Sequence, residues 1–421
     1  MVEIRKPIQV TEAVKRVMEN APHIQTESIP LEDSDNRILQ EPVIAHHAIP
    51  LFDKSPYDGF ALRSVDTNNA TKDKPSICEV VDHIGAGELP AKALEKGEAT
   101  RIMTGAQIPE GADCVVMFEK CHAYEKEHGS YISLDSPLEA GENVIEEGQE
   151  VKKGETLIAE GTLINPGVKA VLATFGYKNV LVAKKPLVGI IATGTELLDV
   201  DEALEPGKIR NSNAYMTASQ VLRAEADYIY IGKLADDLEN SFQTIEDSLE
   251  KVDILITTGG VSVGDFDLMP EIYHKLSADI LFNKVAMRPG SVTTVAKIDE
   301  QILFGLSGNP SACYVGFELF ARPYIQSMLG VKTPYLQHVK ATLAEDFPKQ
   351  NPFTRFVRSF ITYGINGLSV QLAGMDKSNV VTSLAHTNCL MMLPGNTGNY
   401  KKGDTVDCLL LENVDGQQTF Q

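Results

Sequence analysis

Several features are scarce in this sequence, and each absence removes a class of protein. The six cysteines, Cys78, Cys114, Cys121, Cys313, Cys389 and Cys408, stand far apart with no Cys-x-x-Cys pair. That excludes a zinc ribbon and a thioredoxin-type motif and leaves reduced, mostly buried thiols. No stretch approaches the roughly 18 apolar residues of a spanning helix, and the opening MVEIRKPIQV carries charges with no apolar run behind them. A soluble, cytoplasmic protein without membrane association is expected. There is no dense Lys/Arg run, and 38 basic residues face 58 acidic ones for a net charge of -20. Such a chain repels a phosphate backbone unless its bases are gathered on one face, so no nucleic-acid partner is expected. The pattern G-x-x-x-x-G-K-[ST] is missing, and Gly85-Ala-Gly-Glu lacks the third glycine and flanking helix of a dinucleotide fingerprint. The common ATPase and dehydrogenase readings fall with them.

What is present is globular material, with 43% hydrophobic residues over 421 positions, enough for about two to four domains. A helix is expected from about Thr11, with Val10, Ala13, Val14, Val17 and Met18 on one apolar face and Thr11 as N-cap. From Pro50 to about Ser136, short apolar runs separated by Gly, Pro and charge predict a β-rich unit. Gly141, Gly148, Gly154, Gly161 and Gly167 then recur at spacings of 7, 6, 7 and 6, which predicts a compact array of β hairpins. Asn165-Pro166 opens a helix that Gly176 ends. After Pro186 apolar runs alternate with helical stretches, predicting a doubly wound parallel sheet with helices on both faces. From about Pro334 the pattern returns to β. The resulting regions are 1–50 with 137–185 as a discontinuous domain, 51–136 inserted within it, 186–332, and 333–421.

In an open α/β sheet, ligands bind beyond the carboxyl ends of the strands, where turn amides and helix N-termini converge. The loops there carry Thr193-Gly194-Thr195-Glu196, then Ala235-Asp236-Asp237, then a run through Gly259, Gly260, Ser262 and Gly264 to Asp265 and Asp267, and finally Ser307-Gly308-Asn309 with Ser311. Glycines and hydroxyls offer a cradle for anionic groups, and Glu196, Asp236, Asp237 and Asp267 place carboxylates on the same rim. Each loop alone is ordinary turn or cap chemistry. Four on one edge favour a phosphorylated ligand with a divalent cation. Outside this domain stand Ser55-Pro-Tyr-Asp58-Gly-Phe, Arg101-Ile-Met-Thr104-Gly-Ala and the turn from Gly141 to Glu150.

In this order, the motifs S-x-x-D-G-[FY], R-I-x-T-G-A, G-x-N-V, T-G-x-E-L, T-G-G-V-S-V-G-D, [KR]-P-G and G-N-P-S resemble the molybdopterin molybdenumtransferase family, related to the E domain of gephyrin. The resemblance runs from about Pro7 to Val406. It implies an elongated homodimer of multidomain subunits: β-rich N-terminal domains, a three-layer α/β molybdopterin-binding domain at 186–332 and a C-terminal β barrel at 333–421. It implies insertion of molybdenum from molybdate into adenylylated molybdopterin with release of AMP, assisted by Mg²⁺. Molybdopterin adenylyltransferase and apo-molybdoenzymes are the implied further partners.

Carried over residue by residue, Asp58 and Thr104 resemble active-site groups contributed by the partner subunit. Glu196, one of Asp236 and Asp237, and Asp267 resemble the cation carboxylates. Lys284 and Arg288 resemble two basic substrate contacts, and Arg355 and Ser378 align with molybdate contacts. The chain departs from the family's common pattern at Ile145, Glu150, Thr195, Ser291 and Ser307, and the balance between molybdenum and tungsten stays open. Two other readings compete: a molybdopterin adenylyltransferase, which needs neither the N-terminal motifs nor the C-terminal domain, and a non-catalytic molybdopterin-binding carrier or scaffold.

Overall fold

The computed structural model describes residues 6–234, 237–260, 268–364 and 367–411. The chain divides into two compact units, Met1–Gln40 with Gly161–Asn165 and Asn179–Gln421, and Glu41–Glu160 with Pro166–Lys178. The first helix, α1 (Val10–Met18), belongs to the larger unit. It starts one residue before Thr11, with Gln9 at the cap position, and buries Ala13 and Val17 completely. The apolar spacing sets this face, and the cap contributes no side-chain bond.

The smaller unit is built on a six-stranded sheet of β1 (Gly59–Leu62), β2 (Ser76–Ile84), β3 (Glu98–Ile102), β4 (Cys114–Met117), β5 (His122–Lys126) and β6 (Gly129–Leu134), in the order β4-β1-β3-β2-β6-β5. Phe60, Leu62, Cys78, Cys114, Val116, Ile132 and Leu134 form one core beneath it. The expected hairpin array after Gly141 is absent. Ile145 bridges Lys54, Val151 bridges Ile49, and the strand Thr156–Ile158 pairs with Val43–Ile44. Glycines six or seven residues apart leave segments too short to pair with each other, so their backbone groups meet the earlier strand instead. The helix α2 (Pro166–Thr174) does end at Gly176, whose N–H donates to Ala173 O (3.1 Å).

In the larger unit, β7 (Leu187–Thr193), α3 (Ser212–Arg223), β8 (Asp227–Leu234), α4 (Leu238–Leu249), β9 (Ile254–Thr258), α5 (Met269–Lys275), β10 (Asp279–Phe282), β11 (Thr294–Ile298), β12 (Gln301–Leu306), α6 (Pro310–Gly316) and α7 (Arg322–Met328) follow one another. The sheet order is β8-β7-β9-β12-β11-β10. It is mixed rather than wholly parallel: β8, β7, β9 and β12 are parallel, but β11 runs against both neighbours. Ile298 pairs with Gln301 across a two-residue turn, and a turn that short permits only an antiparallel return. Alternate residues of the strands face opposite helix layers. Val188, Ile190, Ile254, Ile256 and Phe304 pack with α1, α3, α6 and α7, whereas Ile191, Leu255 and Leu303 pack with α4 and α5.

Beyond it, β13 (His338–Leu343), β14 (Thr354–Gly364), β15 (Gly367–Leu372), β16 (Cys389–Leu393) and β17 (Thr405–Leu410) close into a five-stranded barrel, β14 pairing with both β15 and β16. Phe347, Val357, Ile361, Val370, Met391, Leu393 and Cys408 fill it.

Candidate functional site

The carboxyl ends of β7, β9 and β12 open onto a cavity of about 790 Å³ lined by Thr193, Gly194, Glu196, Gly259, Gly260, Ser307, Gly308 and Asn309. Three of the four predicted loops therefore meet there. Gly259 holds φ +95°, and a Cβ on it would stand 2.6 Å from Thr193 Oγ1 and 2.7 Å from Thr193 O. Only glycine allows β9 to turn this tightly against β7. Leu268, Met269, Ile272 and Val292 give the cavity an apolar wall, as expected for a largely preformed pocket. One residue with no signal in the sequence is Asn213 on α3. Its Nδ2 donates to Gly308 O (2.9 Å), and its buried Oδ1 has no hydrogen-bond partner.

Of the five carboxylates expected on this rim, Glu196 and Asp237 lie among the described residues. Glu196 is exposed and lines the cavity. Asp237 caps α4, its Oδ1 accepting from Asn240 N–H (2.8 Å), so part of its capacity is taken by the helix end. Asp236, Ser262, Gly264, Asp265 and Asp267 lie outside the described residues. Among the described residues no group of three or more His, Cys, Asp or Glu side chains is arranged to hold a metal. Lys284 is half-buried, accepts at its carbonyl from Ile8 N–H (3.1 Å) and is not among the residues lining this cavity.

A second cavity, of about 340 Å³, shares Val292, Ser307 and Asn309 with the first and is lined further by Arg288, Ser291, Arg355, Arg358, Asp376, Lys377 and Ser378. Its walls come from segments far apart in the chain. Met287–Arg288 pairs in parallel with Thr354–Arg355 of β14, which sets Arg288 beside Arg355. The buried Ser311 at the start of α6 ties down the opposite loop, donating from Oγ to Val380 O (2.7 Å) and from N–H to Ser378 O (3.1 Å). Its hydroxyl is thus a clamp on the site's architecture. Asp376 is gripped by Lys349 Nζ (2.8 Å) and Arg355 Nη1 (3.0 Å), with Arg358 Nη2 at 3.8 Å. Like charges opposite one another in a sheet repel, and one carboxylate does not balance this set. In a chain of net charge -20, such a gathering of cations around one cavity is chemistry for an anion. Arg358, Asp376 and Lys349 were not legible beforehand: Arg355 and Arg358 are three apart in a strand, which by itself puts them on opposite faces.

In the smaller unit, the pair singled out by sequence is in contact. Asp58 Oδ1 accepts from the N–H (2.7 Å) and the hydroxyl (2.8 Å) of Thr104. The Thr104 N–H, then its hydroxyl, and more weakly the Arg101 charge hold the Asp58 carboxyl below its ordinary value of 3.8. Gly105 N–H donates to Ser55 O (2.8 Å), so the two motifs are laced together at the sheet end. Both Asp58 and Thr104 are exposed.

Residues 8–176 match the family described as MoeA N-terminal region (domain I and II), residues 189–327 a probable molybdopterin binding domain, and residues 340–411 the MoeA C-terminal region (domain IV). The chain is 54% identical over 418 residues to a molybdopterin molybdenumtransferase of Bacillus subtilis, covering 99% of this chain and 97% of that one. It is 49% identical over 413 residues to one of Staphylococcus aureus, covering 98% of each. A crystal structure of a molybdopterin biosynthesis protein from Pyrococcus horikosii superposes with a TM-score of 0.86 at 27% identity, over 97% of this chain and 100% of that chain.

Proposed function

Because this chain belongs to the molybdopterin molybdenumtransferase family, we propose that it inserts molybdenum from molybdate into adenylylated molybdopterin and releases AMP. The observation that carries this reading is the pair of adjoining cavities sharing Ser307 and Asn309. The larger, with neutral hydroxyls, turn amides and an apolar wall, suits a pterin bearing a phosphate. The smaller, rimmed by Arg288, Arg355, Arg358 and Lys377, suits a compact tetrahedral dianion such as molybdate. Placing a dianion next to the pterin makes the encounter intramolecular, and much of the rate advantage follows from that positioning.

Release of AMP breaks a phosphoanhydride and develops charge on the departing phosphate. Mg²⁺ binds through one or two carboxylates together with substrate phosphates, and the cavity-lining carboxylate of Glu196 fits that requirement. Glu196 would hold the ion, with Asp267 and one of Asp236 and Asp237 as the further carboxylates that the family resemblance implies. When bound, Mg²⁺ supplies neutralisation of the departing phosphate. Thr193, Ser307 and the turn N–H groups orient the phosphate, and the apolar wall of Leu268, Met269 and Ile272 excludes water from the pterin. The protein acts as a cytoplasmic homodimer in which Asp58 and Thr104 of a second copy complete the site. Its product passes to apo-molybdoenzymes, and a molybdopterin adenylyltransferase supplies its substrate. A plain adenylyltransferase would have no use for a second, cationic cavity walled by the barrel.

The test is AMP formation from adenylylated molybdopterin with Mg²⁺, with and without molybdate, followed by activation of an apo-molybdoenzyme. AMP that depends on molybdate, with activation, is the expected result. Pterin binding without AMP would make the chain a carrier instead.

A further inference from the structure

Between β7 and α3 the chain runs through residues 194–211, a segment that carries Glu196 on the wall of the larger cavity. Three consecutive carbonyls around Glu196 are each bonded. Lys208 Nζ donates to Thr195 O (2.6 Å), Ile209 N–H to Glu196 O (2.9 Å) and Lys233 Nζ to Leu197 O (3.4 Å). Leu197–Leu198 pairs in parallel with Ile209–Arg210, which fixes the register of these contacts. Two ammonium groups therefore brace one turn, before and after Glu196, but their charges are matched very differently. Lys233 Nζ also reaches Asp199 Oδ2 (3.1 Å) and Glu202 Oε2 (3.4 Å). Lys208 is half-buried and bonds a neutral carbonyl, and among the described residues no carboxylate pairs with it. Glu196 is no exception: its side chain folds back over Gly194, where an added Cβ would stand 2.8 Å from Glu196 Cδ. An ammonium carries three donors, so Lys208 has capacity beyond the Thr195 bond. Thr195, its acceptor, and Ile209, its chain neighbour, both line the larger cavity, which puts the ammonium at the rim. The described lining of that cavity contains no Lys or Arg, yet a phosphate bound there is held best by a charged donor.

We propose that Lys208 makes a charged contact to the phosphate bridge of the adenylylated pterin, while Lys233 only braces the turn that carries Glu196. This assignment rests on the insertase reading of the larger cavity. The two side chains of opposite charge at this turn then divide the work. Glu196 faces the cation and Lys208 the phosphate oxygens, and keeping them unpaired leaves each free for its own partner. The Thr195 carbonyl fixes the ammonium in place without cancelling its charge.

The experiment is fluorescence titration of the full-length protein with adenylylated molybdopterin, in the absence of Mg²⁺ and molybdate, alongside the kinetics of AMP formation and thermal unfolding of each variant. Lys208→Gln keeps an N–H donor for Thr195 O and removes the charge, Lys208→Met removes both, and Lys208→Arg keeps both. Lys208→Gln and Lys208→Met should each weaken binding of the adenylylated pterin roughly tenfold, the loss of one charge-assisted hydrogen bond. Lys208→Arg should restore most of that affinity, and the KM for molybdate should stay unchanged in all three. Lys233→Gln should weaken pterin binding by a smaller factor than Lys208→Gln. Wild-type affinity in Lys208→Gln with a loss only in Lys208→Met would make the ammonium a brace and overturn the assignment, as would a larger loss in Lys233→Gln. Either result leaves the insertase reading intact. A wild-type protein that binds the adenylylated pterin but releases no AMP overturns the insertase reading alone, and one that does not bind it overturns both.

Discussion

The two adjoining cavities are built by opposite means. The larger relies on backbone shape: glycines that let β7 and β9 approach, hydroxyls from two loops and from Ser241 of α4, and, among the described residues, one lining carboxylate, Glu196. The smaller relies on charge, with Arg288, Arg355, Arg358 and Lys377 around a single carboxylate. The first should be sensitive to sterics and tolerant of salt, and the second the reverse. A substrate with a flat ring and a phosphate needs a fitted wall. A small dianion with four equivalent oxygens needs field more than fit.

The sharpest way to break the contrast is Gly259→Ala, which puts a Cβ against Thr193 at a positive-φ position. It should destabilise the chain by about 3 kcal/mol and abolish pterin binding, read by chemical denaturation and by fluorescence titration. Retained pterin affinity would show that backbone shape is not what the larger cavity uses. Next in size, Glu196→Gln should lower kcat by roughly a hundredfold, as loss of a preorganised electrostatic group does. Its melting temperature should stay near wild type, because the side chain is exposed. An undiminished kcat would remove Glu196 from the chemistry. The smallest effect concerns salt. Raising ionic strength from about 0.05 to about 0.5 M should increase the KM for molybdate several-fold and that for adenylylated molybdopterin by less than about twofold. Equal shifts would erase the distinction between the cavities.

That distinction also decides what was legible in the sequence. The larger cavity is made of contiguous motifs at strand ends, so Thr193-Gly194, Gly259-Gly260 and Ser307-Gly308-Asn309 could be placed on one rim before any coordinates. The smaller is assembled by long-range pairing. Arg288 meets Arg355 only because Met287–Arg288 adds to β14, and no local periodicity encodes that register. Asp376 belongs to no motif, and its partners Lys349 and Arg355 lie 27 and 21 positions away. The same reason explains two misread strand patterns. The glycine spacing after Gly141 marks turns correctly but is silent about partners, and the antiparallel β11 is betrayed only by the two-residue turn before β12. Asp237 shows the converse: a carboxylate placed by motif on the ligand rim also caps a helix, a task Asp performs wherever a helix begins.

One feature at the start of the chain carries a cost in time. The apolar face of α1 is covered by Phe320 and Tyr324 together with residues near the end of the α/β layer, and Tyr324 Oη donates to Asn20 O (3.2 Å). At roughly 5–20 residues per second of synthesis, α1 leaves the ribosome about 15 to 60 seconds before those partners exist. Until the strand Asp279–Phe282, which also packs on α1, is made, Ala13 and Val17 have little to bury against, and a nine-residue helix is too short to persist alone. The α1 segment therefore completes its packing long after it is made, and a nascent chain halted before residue 320 would display it to chaperones.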